Sequence, residues 1–229
     1  MFFIVDKKTK IIFGWTPKCG CSLVKSIAWY FIEDNIHPAV HTERDFMNLP
    51  DDIENYTVII VGRNPYLKVV SGFLDKYKIN GSFRHLWKHA TITFNDFVNE
   101  ILQHNWNVID FHHVALQTGD KFNEEKIMKS KQMIIYDIAN IDYEYIGQLY
   151  NKKIPQEIIE RKHNHERKKY DQDFCDYVYN LHMDDYFSYN VKTKYFYNEE
   201  IKTKIRNFYK NDFLFFQKHG FDYENDNIF

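Results

Sequence analysis

The sequence predicts an α/β protein: a central parallel sheet with helices on both of its faces. Three observations carry this. Short apolar runs at 11–15, 58–61 and 133–136 have strand length and strand composition. Val58, Ile59, Ile60 and Val61 are apolar without a break, the pattern of a strand buried on both faces. Segments with apolar residues at helical spacing follow these runs, and strands alternating with helices give a parallel sheet.

In chain order, residues 2–5 are expected to pair with 11–15 across a turn at 6–10. Leu23, Val24, Ile27, Ala28, Phe31 and Ile32 then recur on one helical face. After the 58–61 strand, Asn64 has the character of an N-cap and Pro65 that of a first helical residue. Leu67, Val70, Phe73, Leu74 and Tyr77 carry that helix on. Further helices are predicted at 94–102 and 143–150. A single long closing helix is predicted from the cap Asn198. Glu199 and Glu200 stand in its first turn, Lys218 and His219 in its last, and Gly220 ends it. Ile201, Ile205, Phe208 and Phe215 are assigned to its buried face. No repeat, low-complexity tract or Gly/Ser linker interrupts the 229 residues, so 1–229 is read as a single domain, long enough to bury a core.

Composition excludes several classes. A formal net charge of −2 lacks the basic footprint of a nucleic-acid binder. The 17 Tyr and 20 Phe point to an aromatic core. Cys19, Cys21 and Cys175 are too few and too irregular for a disulfide framework, which makes a reducing compartment the default. Cys19 and Cys21 with the histidines match no standard zinc spacing, so no metal is expected. The apolar start is too brief for a signal peptide, and no apolar run reaches membrane-spanning length. The expectation is a soluble chain, cytoplasmic or otherwise, with no nucleic-acid partner and no membrane span.

Two loops carry the chemistry. The first, residues 16–23 (T-P-K-C-G-C-S-L), joins a strand to a helix N-terminus. Unpaired amides and the helix dipole favour an anion there. Gly20 permits close backbone approach, Lys18 adds a positive charge and Ser22 a hydroxyl. The Walker order G-x-x-x-x-G-K-[ST] is absent, because the lysine precedes the glycine. Taken alone, the segment is either an anion loop or an ordinary strand–helix turn with a surface lysine. The second loop holds Arg63, Asn64 and Pro65, with Ser71 two helical turns past the cap. A guanidinium fork and a hydroxyl on one side suit a phosphate monoester. Alone, these residues also fit a salt-bridged arginine and a packed serine.

Together the loops resemble the sulfotransferase superfamily. T-P-K-C-G-C-S-L is similar to its 5′-phosphosulfate loop, and Arg63-Asn64-Pro65 with Ser71 to its 3′-phosphate motif. The order and separation of the motifs agree. The segment from Tyr195 to Phe213 resembles the closing helix of the carbohydrate (Golgi-type) branch. The likeness covers about residues 10–75, and more sparsely 130–220. It implies a P-loop-like three-layer fold, 3′-phosphoadenosine 5′-phosphosulfate (PAPS) as donor, PAP as product, no metal requirement, and a hydroxyl acceptor, a sugar in that branch. Carried across, Pro17, Lys18, Cys19, Gly20, Cys21, Ser22 and Leu23 form the 5′-phosphosulfate loop. Lys18 also has a catalytic role, and Arg63 and Ser71 take the 3′-phosphate. The family usually has Gly or Ala where Cys19 stands, and often Thr where Cys21 stands.

An acceptor hydroxyl must lose a proton, which suits a histidine. His41, between the two motifs, is the first candidate, with Glu43 beside it to orient it or replace it. His112 and His113, in a stretch from Asp110 to Gln117 that resembles a His-containing loop of the same branch, are next. Arg167, Lys168 and Lys169 fall where the superfamily closes a basic loop over the nucleotide, although a solvated charged turn has the same composition. The rival functions are a nucleotide or nucleoside kinase, which needs a Walker loop and a magnesium carboxylate, and a non-catalytic PAP-binding protein of the same fold.

Overall fold

A computed structural model describes residues 1–36, 43–77, 81–82, 92–119, 122–164 and 170–225, with the backbone alone at 43 and 161–164. Strand β1 (Phe2–Asp6) pairs antiparallel with β2 (Ile11–Trp15), Phe2 opposite Trp15 and Asp6 opposite Ile11. Asp6 closes the turn between them, its carboxylate accepting from the amide of Lys8 at 2.9 Å and the hydroxyl of Thr9 at 2.6 Å. Strand β3 (Thr57–Gly62) runs parallel to β2, and β4 (Gln132–Asp137) parallel to β3. The order is β1-β2-β3-β4. The three apolar runs predicted as strands are therefore β2, β3 and β4. All six residues of β3 are buried, as its unbroken apolar sequence requires.

The helices in chain order are α1 (Cys21–Glu33), α2 (Pro65–Lys76), α3 (Phe94–Leu102), α4 (Phe111–Val114), α5 (Glu124–Ile127), α6 (Tyr143–Leu149), α7 (Gln156–Asn164), α8 (Met183–Tyr186), α9 (Glu199–Phe208) and α10 (Lys210–Lys218). A two-stranded parallel ladder joins β5 (Asp173–Phe174) and β6 (Asn190–Val191). Asn64 caps α2 by accepting from the amide of Tyr66 at 3.0 Å, and Pro65 opens the helix. The predicted closing helix is in fact two, α9 and α10, divided at Tyr209. The Tyr209 ring is fully buried and its hydroxyl donates to the carbonyl of Val114. Phe208, assigned to the buried face, is only partly covered. Asn198 caps α9 and Gly220, at φ 88°, ends α10.

The chain divides into two compact units, Met1–Arg63 with Gln117–Glu166, and Asn64–Leu116 with Arg167–Phe229. In the first, α1, α6 and α7 pack on the four-stranded sheet. Ile4, Phe13, Trp15, Ile59 and Val61 meet Leu23, Val24 and Ile27 of α1, Ile146 of α6 and Ile158 of α7. Each such buried side chain contributes about 1.5–3 kcal/mol. This is a mixed α/β fold with a mainly parallel central sheet flanked by helices, as the sequence predicts. The second unit spends the aromatic residues on its core. Phe73 of α2 packs against Phe94 and Phe97 of α3, with ring centroids 5.2 Å apart in each pair.

A buried ion pair ties Asp45 to α1. Asp45, fully buried, accepts from Lys25 Nζ at 3.2 Å and from Trp29 Nε1 at 2.7 Å, both on α1, and its carbonyl accepts from Trp15 Nε1 at 2.9 Å. Among the described residues no helix is long and apolar enough to cross a membrane.

Candidate functional site

The first loop runs from the carboxyl end of β2 into α1. The Cys19 amide bonds back to the Thr16 carbonyl at 3.1 Å, making a tight turn. Lys18 and Gly20 lie on either side of Cys19 in the left-handed region, at φ 65° and 72°. Glycine suits position 20, because its φ is left-handed and a Cβ there would lie 2.1 Å from Ile138 Cδ1, beyond the end of β4, so that Ile138 would have to shift. Gly20 is the N-cap of α1 and offers no side-chain cap, and the first turn holds no acidic residue. The opening amides of α1 thus have neither an intrahelical acceptor nor a capping side chain. With the helix dipole they favour an anion.

Arg63 follows the last residue of β3. Its Nη1 donates to the Lys18 carbonyl at 2.9 Å, so the left-handed loop residue and the arginine of the second motif meet. The backbone of Arg63 is held on both sides by one side chain. Gln117 Oε1 accepts from the Arg63 amide at 3.0 Å, and Gln117 Nε2 donates to the Arg63 carbonyl at 2.8 Å. The same Oε1 accepts from the buried Cys19 thiol at 3.1 Å. Burial lowers the guanidinium pKa from its ordinary value, opposed by the neighbouring Cys19 and Asp137. An arginine stays cationic at neutral pH under such a shift. Sequence reasoning passed over Gln117, since nothing in its spacing marks it.

In the second unit, Ser71 is partly buried on α2. His112 and His113 both lie on α4, with ring centroids 5.2 Å apart. His113 Nδ1 is hydrogen-bonded to Asp110 Oδ2. Burial raises the Asp110 pKa, but the hydrogen bond and charge of His113, with Lys76 and His112 beyond, outweigh it and hold the carboxyl below its ordinary value. Asp110 Oδ2 accepts from His113 Nδ1, which orients the imidazole and leaves Nε2 on its far side. The backbone around this pair is fixed from three directions. The Tyr77 hydroxyl donates to the Val108 carbonyl at 3.2 Å and accepts from the Asp110 amide at 3.1 Å. The buried Lys68 ammonium donates to the carbonyls of His113 at 3.3 Å and Ala115 at 2.7 Å, and Tyr209 holds Val114. The Asp-x-x-His spacing, one helical turn, is the signal that would have found Asp110.

Glu43 belongs to a short 3-10 turn, Glu43–Asp45. His41, Arg167, Lys168 and Lys169 lie outside the described residues. Among the described residues no group of three or more His, Cys, Asp and Glu could hold a metal ion.

A strand–loop–helix unit with a cation in the loop, and an arginine reaching that loop from the next parallel strand, defines an α/β protein of P-loop-like architecture. The profile of the Sulfotransferase family matches residues 1–219, and the chain belongs to that family. It is therefore an enzyme that transfers a sulfuryl group. No curated protein and no solved structure matches the chain.

Proposed function

We propose that the protein transfers the sulfuryl group of PAPS to a hydroxyl acceptor, a sugar hydroxyl of the kind used by the carbohydrate branch. The observation that supports this most is the 2.9 Å bond from Arg63 to the Lys18 carbonyl, which joins the two phosphate motifs of the sequence. The residues present fit such a donor. Residues 16–23 contain no carboxylate. They offer the α1 amides, the Ser22 hydroxyl and Lys18, and the Thr16 hydroxyl is buried with no hydrogen-bond partner.

Bound there, the donor supplies an activated sulfuryl group on a phosphate leaving group. In this reading Lys18 and the amides of residues 19–23 hold the 5′-phosphosulfate, and Lys18 neutralises charge that develops on the leaving phosphate. Arg63 and Ser71 take the 3′-phosphate, with Arg167, Lys168 and Lys169 closing over it. A histidine receives the acceptor proton. His113 has the orienting carboxylate and the rigid backbone that general-base work needs. His41, Glu43 and His112 remain the competing candidates. The two units are read as one catalytic domain.

The test is an acceptor screen with labelled PAPS and mass-spectrometric readout, alongside thermal melts with PAP and without Mg²⁺. Sulfated product and a PAP-dependent rise in Tm are expected. Stabilisation by MgATP but not PAP would return the kinase reading, and PAP binding without sulfation of any acceptor the non-catalytic one.

A further inference from the structure

Gln117 is fully buried, and both ends of its amide are engaged. Both Oε1 lone pairs are used, by the Arg63 amide at 3.0 Å and the Cys19 thiol at 3.1 Å, and Nε2 donates to the Arg63 carbonyl at 2.8 Å. These partners also fix which end of the amide is oxygen, since an amide N–H must face the Arg63 carbonyl. They fix the thiol proton on sulfur as well, aimed at Oε1. With the bond from Arg63 Nη1 to the Lys18 carbonyl, a closed circuit results: loop to glutamine, glutamine to the end of β3, and arginine back to the loop.

We propose that Gln117 is the positioning residue that holds the phosphate loop and Arg63 in register for the donor nucleotide. The proposal rests on the PAPS reading above. Its physical reason is that an arginine serves an anion only when its backbone aims the fork. The end of a strand gives no further ladder bond to aim it, and the planar amide of Gln117 supplies both missing bonds at once. Cys19 then has a role: its thiol donates a second hydrogen bond to the buried Oε1.

The test measures PAP affinity by calorimetry for wild type, Gln117→Leu and Gln117→Glu, each at pH 8 and pH 6, with Tm recorded for all three. Gln117→Leu is expected to bind PAP about tenfold or more weakly while folded. Gln117→Glu discriminates further. As a carboxylate it has no donor for the Arg63 carbonyl, but as a carboxylic acid it reproduces the amide's donor and acceptor. Its affinity relative to wild type should therefore recover as the pH falls. The other titratable or charged groups here are Arg63, Cys19 and Asp137, and the wild-type control at each pH accounts for them. Folded variants with wild-type PAP affinity, or a Gln117→Glu deficit that does not respond to pH, overturn the proposal. So does failure of both variants to fold, which makes Gln117 structural. A wild type that binds no PAP overturns the donor reading and this inference together, whereas wild-type binding with unchanged variants overturns this inference alone.

Discussion

Arg63 and Lys18 are both cations, but their surroundings assign them different work. Arg63 is partly buried, and its backbone is clamped by Gln117. Arg63→Ala should weaken PAP binding by about 1.5–3 kcal/mol, the worth of a charge-assisted contact. Lys18→Ala should instead lower turnover, because its charge counts most as the leaving group develops charge. Equal PAP affinity for wild type and Arg63→Ala would remove Arg63 from the site. For the base, His113→Ala should reduce turnover by about 10²–10⁴-fold with PAP affinity unchanged. A dead His41→Ala beside an active His113→Ala would move the role to His41. Asp110 yields a pH prediction. Its carboxyl is held below the ordinary 3.8, so the stability it adds is present above that pH and is lost as pH falls through the lowered folded value. Asp110→Asn should cost about 1.5–3 kcal/mol at pH 7. The difference in unfolding free energy between wild type and Asp110→Asn should shrink as the pH falls through that lowered value, and a gap that persists in strong acid would contradict this account of the Asp110–His113 bond.

At the scale of elements, the turn between β2 and α1 is the most constrained feature of the site. Gly20 combines a φ of 72° with a Cβ position 2.1 Å from Ile138 Cδ1. Gly20→Ala should destabilise the protein by about 1–3 kcal/mol through backbone strain and overpacking, and should weaken PAP binding too, because α1 would have to shift. Paired denaturation and calorimetry would check both; an unchanged midpoint would mean that Ile138 moves aside freely. The Lys25–Asp45 pair fixes a second connection, the one that follows His41 and Glu43. Asp45→Ala removes the carboxylate that faces the buried Lys25 ammonium and the acceptor of Trp29 Nε1, so a loss of about 3–5 kcal/mol is expected in urea unfolding. A loss under about 1 kcal/mol would show that Lys25 finds water instead.

For the whole molecule, the chain passes from one unit to the other at 63–64, 116–117 and 166–167. Neither unit is a continuous segment, and the first break separates Arg63 from its own helix cap, Asn64. If the two work as one domain, unfolding should be a single cooperative transition with the same midpoint by circular dichroism and by tryptophan fluorescence. Two separated transitions would divide the chain into independently stable parts.

The sequence by itself determined the four strands of the main sheet and the starts of five helices, because each rests on local physics. An unbroken apolar run, an Asn-Pro cap and a glycine between a strand and a helix are legible within a few residues; that Ile138 crowds Gly20 is not. The closing helix was misjudged where a distant contact intervenes: Tyr209 is buried and tied to Val114, and the helix divides there. Only the tertiary structure decided that Gln117 meets Cys19, 98 positions earlier, and that Arg63 turns back to Lys18 across 45. The same holds for Lys68 reaching the carbonyls beside His113. Such pairs leave no mark on periodicity or spacing. They form because the fold packs segments distant in sequence against one another, and because a buried polar group must be satisfied by whatever the fold places beside it.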